Sequence, residues 1–506
     1  MIQRTTYGNV AVATPPEACV PARYRERVED LFSTWESVVG RNAELRRYYQ
    51  MKNQMRSLGI SIPPMLEKVN SVVGWCKKAV DARAVRSVFD GYAFDGDEDE
   101  RLERLVRENR LRSKYQQACA SALAYGVSAL TVMRGGPGQP EVVIRTFSAN
   151  QFCALWDKDA ERIACGVVLA DVDRNGDARK YVCHMPEAVL TLERDGDGEW
   201  RCSEEPHPLG RPMMEIVVND PDPDRPMGHS LLTPELLGIT DKAMRDVLRM
   251  EVGAEFFTFP QRYILGADDD LFSLPAEGED EDTDGEEAED EEDEERPRVP
   301  DPIAKYQAYV GSWLALTRDE NGDLPQVGQF AAPSADNFTR VFENDAQRFS
   351  GATNVPLAQL GVLSNTYTSS DALGAANDPL IIEVEAMNRR NGEAMENVAR
   401  MAMAVRDGVP LSGLTDEQWR VQALFEDPSM PTISARADAW TKFGSEDQGV
   451  IGTDVWYEGM GLPKAKIDRI KREKKRASAT ATLNAIADAI EARAAGAALP
   501  PGGGAQ

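Results

Sequence analysis

The chain is organised around residues 336–406, which begin with DNFTRVFENDAQRFSGATNVPLAQLGVLSNTYTSSDALGAANDPL. Apolar side chains recur there at helical spacing on either side of a polar stretch, so the sequence predicts a short and a long amphipathic helix. The apolar face of the short helix consists of Phe338, Val341, Phe342 and Phe349. The apolar face of the long helix consists of Leu380, Val384, Met387, Met395, Val398, Met401 and Val405.

A polar loop, residues 352–370, joins these two helices. It is rich in Ser, Thr and Asn, and Pro356 and Gly361 oppose a continuous helix. Loops of this length are uncommon inside a compact region and are often functional. We therefore expect the loop to carry function, with an ordinary solvated connection as the alternative.

Composition indicates a globular protein of several structural units. Of the 506 residues, 42% are hydrophobic and 28% are charged. No run approaches the ~18 consecutive apolar residues of a transmembrane helix. The N-terminal residues 1–13 lack the pattern of a signal peptide. The sequence therefore predicts neither a membrane segment nor secretion.

The net charge of −27 is concentrated in one segment. Residues 268–295 contain 18 acidic residues and no basic one, and the remaining chain carries a net charge of about −9. Because this segment has almost no apolar residue after Leu274, we expect the acidic insert 267–296 to be disordered. An acidic tether for a basic partner is the alternative. Without a strongly basic face, DNA would be contained or passed along rather than gripped.

The sequence predicts no catalytic, cofactor-binding or metal-binding residue and no cofactor. Seven scattered cysteines without a CxxC pair favour reduced, packed thiols, and three histidines form no ligand pattern. The glycine-rich run 134–138 lies between two predicted strands, and the chain contains neither a phosphate-binding loop nor a nucleophile elbow. The turn 171–177 resembles the start of a calcium loop, but Val182 occupies the position that requires Glu, which favours a hairpin turn.

Local patterns before the central stretch predict a helical block, then a sheet, then a long helix. The predicted helices cover 22–50, 64–88 and 97–124, with a turn at 90–92. The predicted strands cover 129–133, 141–147, 164–171, 180–185, 188–193 and 214–219. Because no helices separate these strands, they predict an antiparallel sheet. Thr233 and Pro234 then begin a helix that continues to about Phe257.

Patterns on either side of the central stretch predict two further parts. Residues 306–317 and 324–330 are typical of strands. After residue 406, Thr415–Gln418 has the form of a capping box, whereas 419–425 fits a helix or a strand. A last helix over 463–494 is strongly basic at 464–476. This basic part indicates a solvated face or, alternatively, contact with acidic partners or DNA.

The order of these parts resembles the portal proteins of tailed bacteriophages of the long-tailed kind, over about residues 25–480. Four segments carry the resemblance, each in the position that it has in this family. They are Tyr48-Tyr49 with Gly59-Ile60-Ser61-Ile62-Pro63, the helix–Tyr125-Gly126–strand segment 118–132, Gly228-His229-Ser230 before the long helix, and Gly351–Pro356 with Leu360-Gly361 and Ser369–Leu373.

The resemblance implies an α+β portal fold that assembles as a ring. In chain order, the implied parts are the wing (1–228, a helical N-terminal part plus antiparallel strands), one stem helix (229–257), the clip (258–333, with the acidic insert), the returning stem helix (334–351), the tunnel loop (352–370), a long helix back into the wing (371–409), a helical crown (410–495) and a loose tail (496–506).

The resemblance also implies a function without catalysis. The ring, of twelve subunits in this family, would stand at a capsid vertex of the virion, after assembly in the host cytoplasm, and double-stranded DNA would be packaged and ejected through it. Its further partners would be the terminase large subunit, a head–tail adaptor, and the major capsid and scaffolding proteins, with no membrane. The residues expected to line the DNA channel are Leu363, Ser364, Asn365, Thr366, Tyr367 and Thr368.

Two alternatives to this function stay open on the sequence alone. One is another phage head or head–tail structural protein without a DNA channel. The other is an enzyme that depends on carboxylates or a metal ion, which only the many acidic residues support.

Overall fold

The computed structural model describes residues 12, 14–53, 71–94, 98–258, 262–265, 273–275, 298–300, 326–329, 335–362, 374–429, 433–462 and 464–496. The chain divides into two compact units, Met1–Glu426 (unit 1) and Asp427–Gln506 (unit 2). Helices and antiparallel strands occur in separate blocks, which confirms the α+β class. None of the described helices combines the length and the apolar character that crossing a bilayer requires.

The helices of unit 1 form the frame of the molecule. They are α1 (Arg25–Tyr49), α2 (Trp75–Ala84), α3 (Glu98–Asn109), α4 (Leu111–Tyr125), α5 (Pro234–Thr258), α6 (Ala335–Thr353), α7 (Asp378–Asp407) and α8 (Asp416–Trp419). Short 3₁₀ helices lie at Glu17–Cys19, Ala22–Tyr24, Leu357–Leu360 and Leu411–Gly413. The helix predicted up to about Phe257 is confirmed as α5, and all seven apolar residues predicted for the long helix face are buried in α7.

The strands follow in chain order. They are β1 (Phe89–Ala93), β2 (Val127–Arg134), β3 (Val142–Ser148), β4 (Phe152–Asp157), β5 (Arg162–Val172), β6 (Ala178–His184), β7 (Ala188–Arg194), β8 (Trp200–Pro206), β9 (Met214–Val218), β10 (Arg262–Leu265), β11 (Ser273–Pro275), β12 (Arg298–Pro300), β13 (Gln326–Gln329) and β14 (Gln422–Phe425).

All described strand pairs are antiparallel, as the sequence predicts. A five-stranded sheet has the order β4-β5-β6-β7-β8, and a three-stranded sheet has the order β3-β2-β9. The pairs β1–β14, β10–β13 and β11–β12 form two-stranded sheets. The turn 173–177 joins β5 to β6, and the Asp173 backbone N–H donates to the Asp177 carbonyl at 2.8 Å, so the predicted hairpin turn is confirmed.

Two cores hold unit 1 together. The larger core joins α2, α4 and α7 to the three-stranded sheet and includes Phe349 of α6. The smaller core lies between the first half of α1 and the five-stranded sheet, where Phe32 meets Tyr181 edge to face at 4.9 Å. All seven cysteines are free and five are buried, which confirms the prediction of reduced, packed thiols.

Two strands that the sequence analysis does not predict, β4 and β8, are the edges of the five-stranded sheet. Arg201, Glu204 and Glu205 of β8 give this segment a low apolar content. Edge strands tolerate such residues because one side of the strand has no neighbour to pack against. The low apolar content of β8 therefore explains why the sequence does not predict it, whereas β4 (FCALWD) is apolar and its omission has no such reason.

Two predictions for the helical N-terminal block need correction, and the choice between helix and strand at 419–425 is decided. The third helix is not continuous, because Arg110 has a φ of 52° and separates α3 from α4. Asn109 explains this break, since its side chain donates to the Val142 carbonyl at 2.9 Å and accepts from the Ile144 N–H. The turn predicted at 90–92 is strand β1, paired with β14. The segment 419–425 ends α8 and continues as a strand.

Two glycines of the segments that carry the family resemblance are in contact where α5 begins. A Cβ on Gly228 would lie 2.3 Å from the Asn219 carbonyl, and Gly126 lies against the same turn with a φ of 104°. Ser230 Oγ donates to the Ala124 carbonyl at 2.7 Å. The end of α4 therefore fixes where α5 starts, and both glycines are required by close approach of the backbones.

The described residues of unit 2 form the helices α9 (Ile433–Glu446), α10 (Asp454–Gly459) and α11 (Lys464–Gly496). The Trp456 indole donates to the Trp440 carbonyl at 3.3 Å and joins α10 to α9. Ile467 of α11 is buried, and Lys474 Nζ donates to the Tyr457 hydroxyl at 2.5 Å. The helix predicted over 463–494 is confirmed as α11.

Candidate functional site

The six predicted channel residues, Leu363–Thr368, lie outside the described residues. The described chain reaches Val362 and continues from Gly374. Most of the acidic insert 267–296 and the strand predicted at 306–317 also lie outside them. The candidate site is therefore defined by the two ends of the segment 363–373 and by the helices that hold these ends.

The first end leaves α6 through a sharp change of backbone direction. Asn354 has a φ of 52°, and the following residues Val355 and Leu360 are buried. The Trp75 indole of α2 donates to the Leu360 carbonyl at 3.2 Å, and its ring lies 5.1 Å from Phe342 and 5.5 Å from Phe349. The first end is thus packed against α2 rather than free in solvent.

The second end is held close to the first by hydrogen bonds. Gln359 Nε2 donates to Asn377 Oδ1 at 3.1 Å, and Arg86 of α2 donates to the same oxygen at 3.2 Å. Asn377 is the N-cap residue of α7, with Pro379 in the first turn. The segment 363–373 therefore begins and ends at neighbouring points on the molecule.

Arg83 of α2 connects both ends directly. Its Nη2 donates to the Thr353 carbonyl at 2.7 Å, and its Nε and Nη2 both reach Glu383 Oε2, at 3.1 and 2.5 Å. Asn354 Nδ2 donates to the other carboxylate oxygen of Glu383 at 2.7 Å. The Arg83 side chain is buried, so these charge-assisted bonds form in an environment that strengthens them.

The helices α5 and α6 pack against each other through a polar contact in an apolar surface. Lys242 Nζ of α5 donates to Asp345 Oδ1 of α6 at 2.6 Å, and Asp345 is fully buried. Asp246 of α5 is also buried and bonds Arg249 at 2.7 Å. Burial raises the pKa of Asp246, a hydrogen bond with Asp345 raises it further, and the Arg249 charge opposes both.

When both side chains are ionised, Asp246 Oδ2 and Asp345 Oδ2 accept no hydrogen bond from the described residues. A proton on Asp246 gives this pair its hydrogen bond, which is consistent with the raised pKa of Asp246. The contact between the two helices thus places two acidic side chains next to each other in a buried position.

The first half of α5 is fixed to the helices before it. Tyr48 of α1 donates to Asp241 Oδ1 at 2.7 Å, and Cys76 of α2 lies 3.2 Å from the Thr240 hydroxyl. Leu236, Ile239, Ala243, Met244 and Leu248 are all buried. Helix α2 therefore contacts both α5 and the loop ends, and it ties the helix pair to the loop.

The described residues contain no group of three or more His, Cys, Asp and Glu side chains that could hold a metal ion. His184 is fully buried with neither ring nitrogen bonded, and burial lowers its pKa to about 3. A cleft of about 360 Å³ between α3 and the end of α7 includes Arg104 and Arg406. These two arginines pair with Glu108 and Asp407, so the cleft does not select an anion.

The sequence analysis missed the residues that hold the loop ends, namely Trp75, Arg83, Arg86, Asn377 and Glu383. Their local patterns are those of ordinary helix positions, so no local signal could have found them. The burial of Arg83 in the short helix α2 draws attention to it in the structure, since Arg is rarely buried without a partner.

The chain matches the family model described as phage portal protein, SPP1 Gp6-like, over residues 29–480. The portal protein of Mycobacterium phage D29 is 26% identical over 485 residues, which cover 94% of this chain and 93% of the relative. The portal protein of Mycobacterium phage L5 is 26% identical over 477 residues, which cover 91% of each chain.

Solved structures with a similar course of the chain come from gene transfer agent (GTA) particles. A chain of the virion of the native particle has a TM-score of 0.41 and 14% identity, and the match covers 83% of this chain and 93% of that chain. A chain of the native particle's neck, computed with C12 symmetry, has a TM-score of 0.40 and 13% identity at the same coverage. Both scores lie below 0.5, so the family rests on the sequence matches.

Proposed function

Because the chain belongs to the SPP1 Gp6-like family of phage portal proteins, we propose that it forms the ring at a capsid vertex through which double-stranded DNA is packaged and ejected. The match over residues 29–480 carries this proposal. Portal proteins are structural proteins, so the expectation that the chain is not an enzyme is confirmed by its family. The portal fold predicted from the order of its segments is confirmed in the same way.

We further propose that Leu363, Ser364, Asn365, Thr366, Tyr367 and Thr368 line the narrowest part of the channel. The bonded loop ends support this placement, since Gln359 and Asn377 lie 3.1 Å apart at their side chains. Eleven residues between neighbouring end points can extend at most about 20 Å outward and back. Such a loop can reach into a channel without a change in the helices that hold it.

The polar, uncharged character of these side chains suits a moving duplex. A Lys or Arg that bonds a phosphate must be released each time the duplex advances, whereas Ser, Asn and Thr make weaker contacts. The helix pair α5–α6 would supply the rigid wall from which the loops of all subunits project. The implied bounds of wing, stem, clip, tunnel loop and crown are part of this proposal.

The proposed partners follow from the same function. They are further copies of the chain in a ring of twelve, the passing DNA, the terminase large subunit, a head–tail adaptor, and the major capsid and scaffolding proteins. The chain would be assembled in the host cytoplasm and remain at the portal vertex of the virion.

Negative-stain imaging of the purified full chain tests the ring. Closed rings with a central hole are expected at micromolar concentration. A population of monomers alone would contradict the proposal and favour a head or head–tail component without a channel.

Variants of the loop test the channel. Deletion of 363–368 is expected to leave rings intact but to reduce DNA packaging or retention in a phage complementation assay. Thr366→Lys is expected to slow packaging, with Thr366→Gln as a neutral control of similar length, because only Lys adds a phosphate contact. Full genomes at normal yield in the deletion variant would refute the role of the loop.

A further inference from the structure

Unit 2 exposes two separate groups of large apolar side chains. The chain has thirteen exposed large hydrophobic residues within its described part, and six of them lie in this unit of 80 residues. One group, the stripe, consists of Leu483, Ile486 and Ile490 of α11, which are 66%, 52% and 62% exposed. The other, the patch, consists of Phe443, Ile451 and Val455, which are 51%, 51% and 61% exposed.

The stripe lies on one face of the second half of α11, where the side chains do not pack against the other described residues of unit 2. Spacings of three and four place its residues in line along the helix. Every side chain from 471 to 488 is exposed, whereas the start of α11 is fixed to α10 by Ile467 and Lys474. Most helical stability in proteins comes from packing of one face, so a packed partner would contribute much of the stability of this half of α11.

The patch lies at the junction of α9 and α10. A Cβ on Gly444 would lie 2.9 Å from Ile451 Cγ1 and 3.3 Å from the Trp456 indole nitrogen, so Ile451 lies over the helix end that bears Phe443. Val455 follows one turn later in α10. The patch therefore extends from the last turn of α9 to the first turn of α10.

The charges beside the two surfaces are complementary. Glu446 and Asp447 are exposed at the end of α9, beside the patch. Lys475 and Arg476 are exposed in α11, and Arg476 precedes Leu483 by seven residues, which places both on one helix face. A stripe packed along the patch can thus bring a basic pair towards an acidic pair.

We propose that the stripe of one copy packs against the patch of the neighbouring copy. This inference rests on the proposed ring, because a closed ring of identical subunits requires two different, matching surfaces on each subunit. Three apolar side chains are too few to join two free chains. Within a ring the neighbour is already close, so its high effective concentration makes the contact favourable.

Cysteine pairs in the full chain test this contact. The variant I486C/V455C is expected to give a ladder of covalent oligomers after mild oxidation with diamide, since a disulfide forms only at Cα separations of about 4.4–6.8 Å. I486C alone and V455C alone are expected to stay monomeric on a denaturing gel. A matched control, A485C/V455C, places the thiol on the opposite face of α11 and is expected to give no ladder.

The outcomes separate this inference from the function on which it rests. Absence of rings in the wild-type protein overturns both. If I486C/V455C forms rings but gives no ladder, the contact between stripe and patch is overturned while the ring stands. A covalent dimer from the single variant I486C would show that two stripes meet each other, which also overturns the contact.

A second pair of variants keeps the test valid if the cysteine variants lose their rings. L483E/I486E is expected to raise the protein concentration needed for rings by roughly tenfold or more, whereas the opposite-face control A481E/A485E is expected to leave it unchanged. Equal ring formation by both variants overturns the contact.

Discussion

Arg83 and Glu383 stand 300 positions apart in the sequence and form an ion pair with a separation of 2.5 Å. The same guanidinium bonds the carbonyl of Thr353. One side chain of α2 thus fixes the residue where α6 ends and the first turns of α7. The ends of the candidate loop are determined by this helix, which lies far from both in the sequence.

Replacement of Arg83 by Gln is expected to lower the free energy of unfolding of unit 1 by about 2 kcal/mol. Removal of one partner of a fully buried pair costs more, about 3–5 kcal/mol, but Glu383 is 41% exposed and can be hydrated. Urea denaturation measures the change. Arg104→Gln, which breaks the more exposed pair with Glu108, is the control and should cost clearly less than Arg83→Gln. Equal losses in the two variants would contradict the anchoring role of Arg83.

Asn354 offers a test of the backbone at the loop entrance. Its φ of 52° is tolerated by Asn and Gly, whereas Ala is disfavoured there by about 1–2 kcal/mol. Both Asn354→Gly and Asn354→Ala lose the bond to Glu383, so the Gly variant should be the more stable of the two. At Gln347, an exposed position in α6, the order should reverse because Ala favours a helix. Thermal unfolding compares the four variants, and a more stable Asn354→Ala would refute the prediction.

Helix α6 allows a comparison of two predicted core positions. Phe349 is fully buried against Trp75, whereas Val341 is 41% exposed, so its predicted place in the buried face is wrong. Phe349→Ala is expected to cost about 3–5 kcal/mol and Val341→Ala less than about 0.5 kcal/mol. Urea denaturation would detect this difference. If Val341→Ala proved equally destabilising, that side chain would have to be covered in the assembled protein.

The Asp246–Asp345 pair makes stability depend on pH. Because the pKa of Asp246 is raised in the folded state, the stability that its proton provides is complete below the unfolded pKa and is lost as pH rises through the folded pKa. Asp246→Asn keeps a donor towards Asp345 without this titration. Relative to wild type, the variant should therefore gain stability between pH 4, near the ordinary pKa of an Asp carboxyl, and pH 8, on the order of 1 kcal/mol.

Urea denaturation at the two pH values measures this gain. Asp159→Asn, at an exposed position, is the control and should show no such change relative to wild type. A constant difference between Asp246→Asn and wild type across this range would mean that Asp246 and Asp345 do not share a proton.

The sequence by itself determined the type and order of most elements. The inner strands and α7 follow from periodicity, since each buries one face and its neighbours along the chain decide which residues lie on that face. The antiparallel pairing followed from the short turns between the strands. Gly126 follows the last residue of α4, where the sequence predicts a helix C-cap.

Only the tertiary structure decided which distant residues meet. The pairing of β1 with β14, the sharing of Arg83 between Thr353 and Glu383, and the contact of Asp246 with Asp345 all join separate parts of the sequence. Local patterns do not encode such contacts, because a charged residue inside a helix looks the same whether its partner is solvent or a buried carboxylate. The edge strand β8 escaped prediction for a related reason, since it lacks a second neighbour and tolerates charged residues.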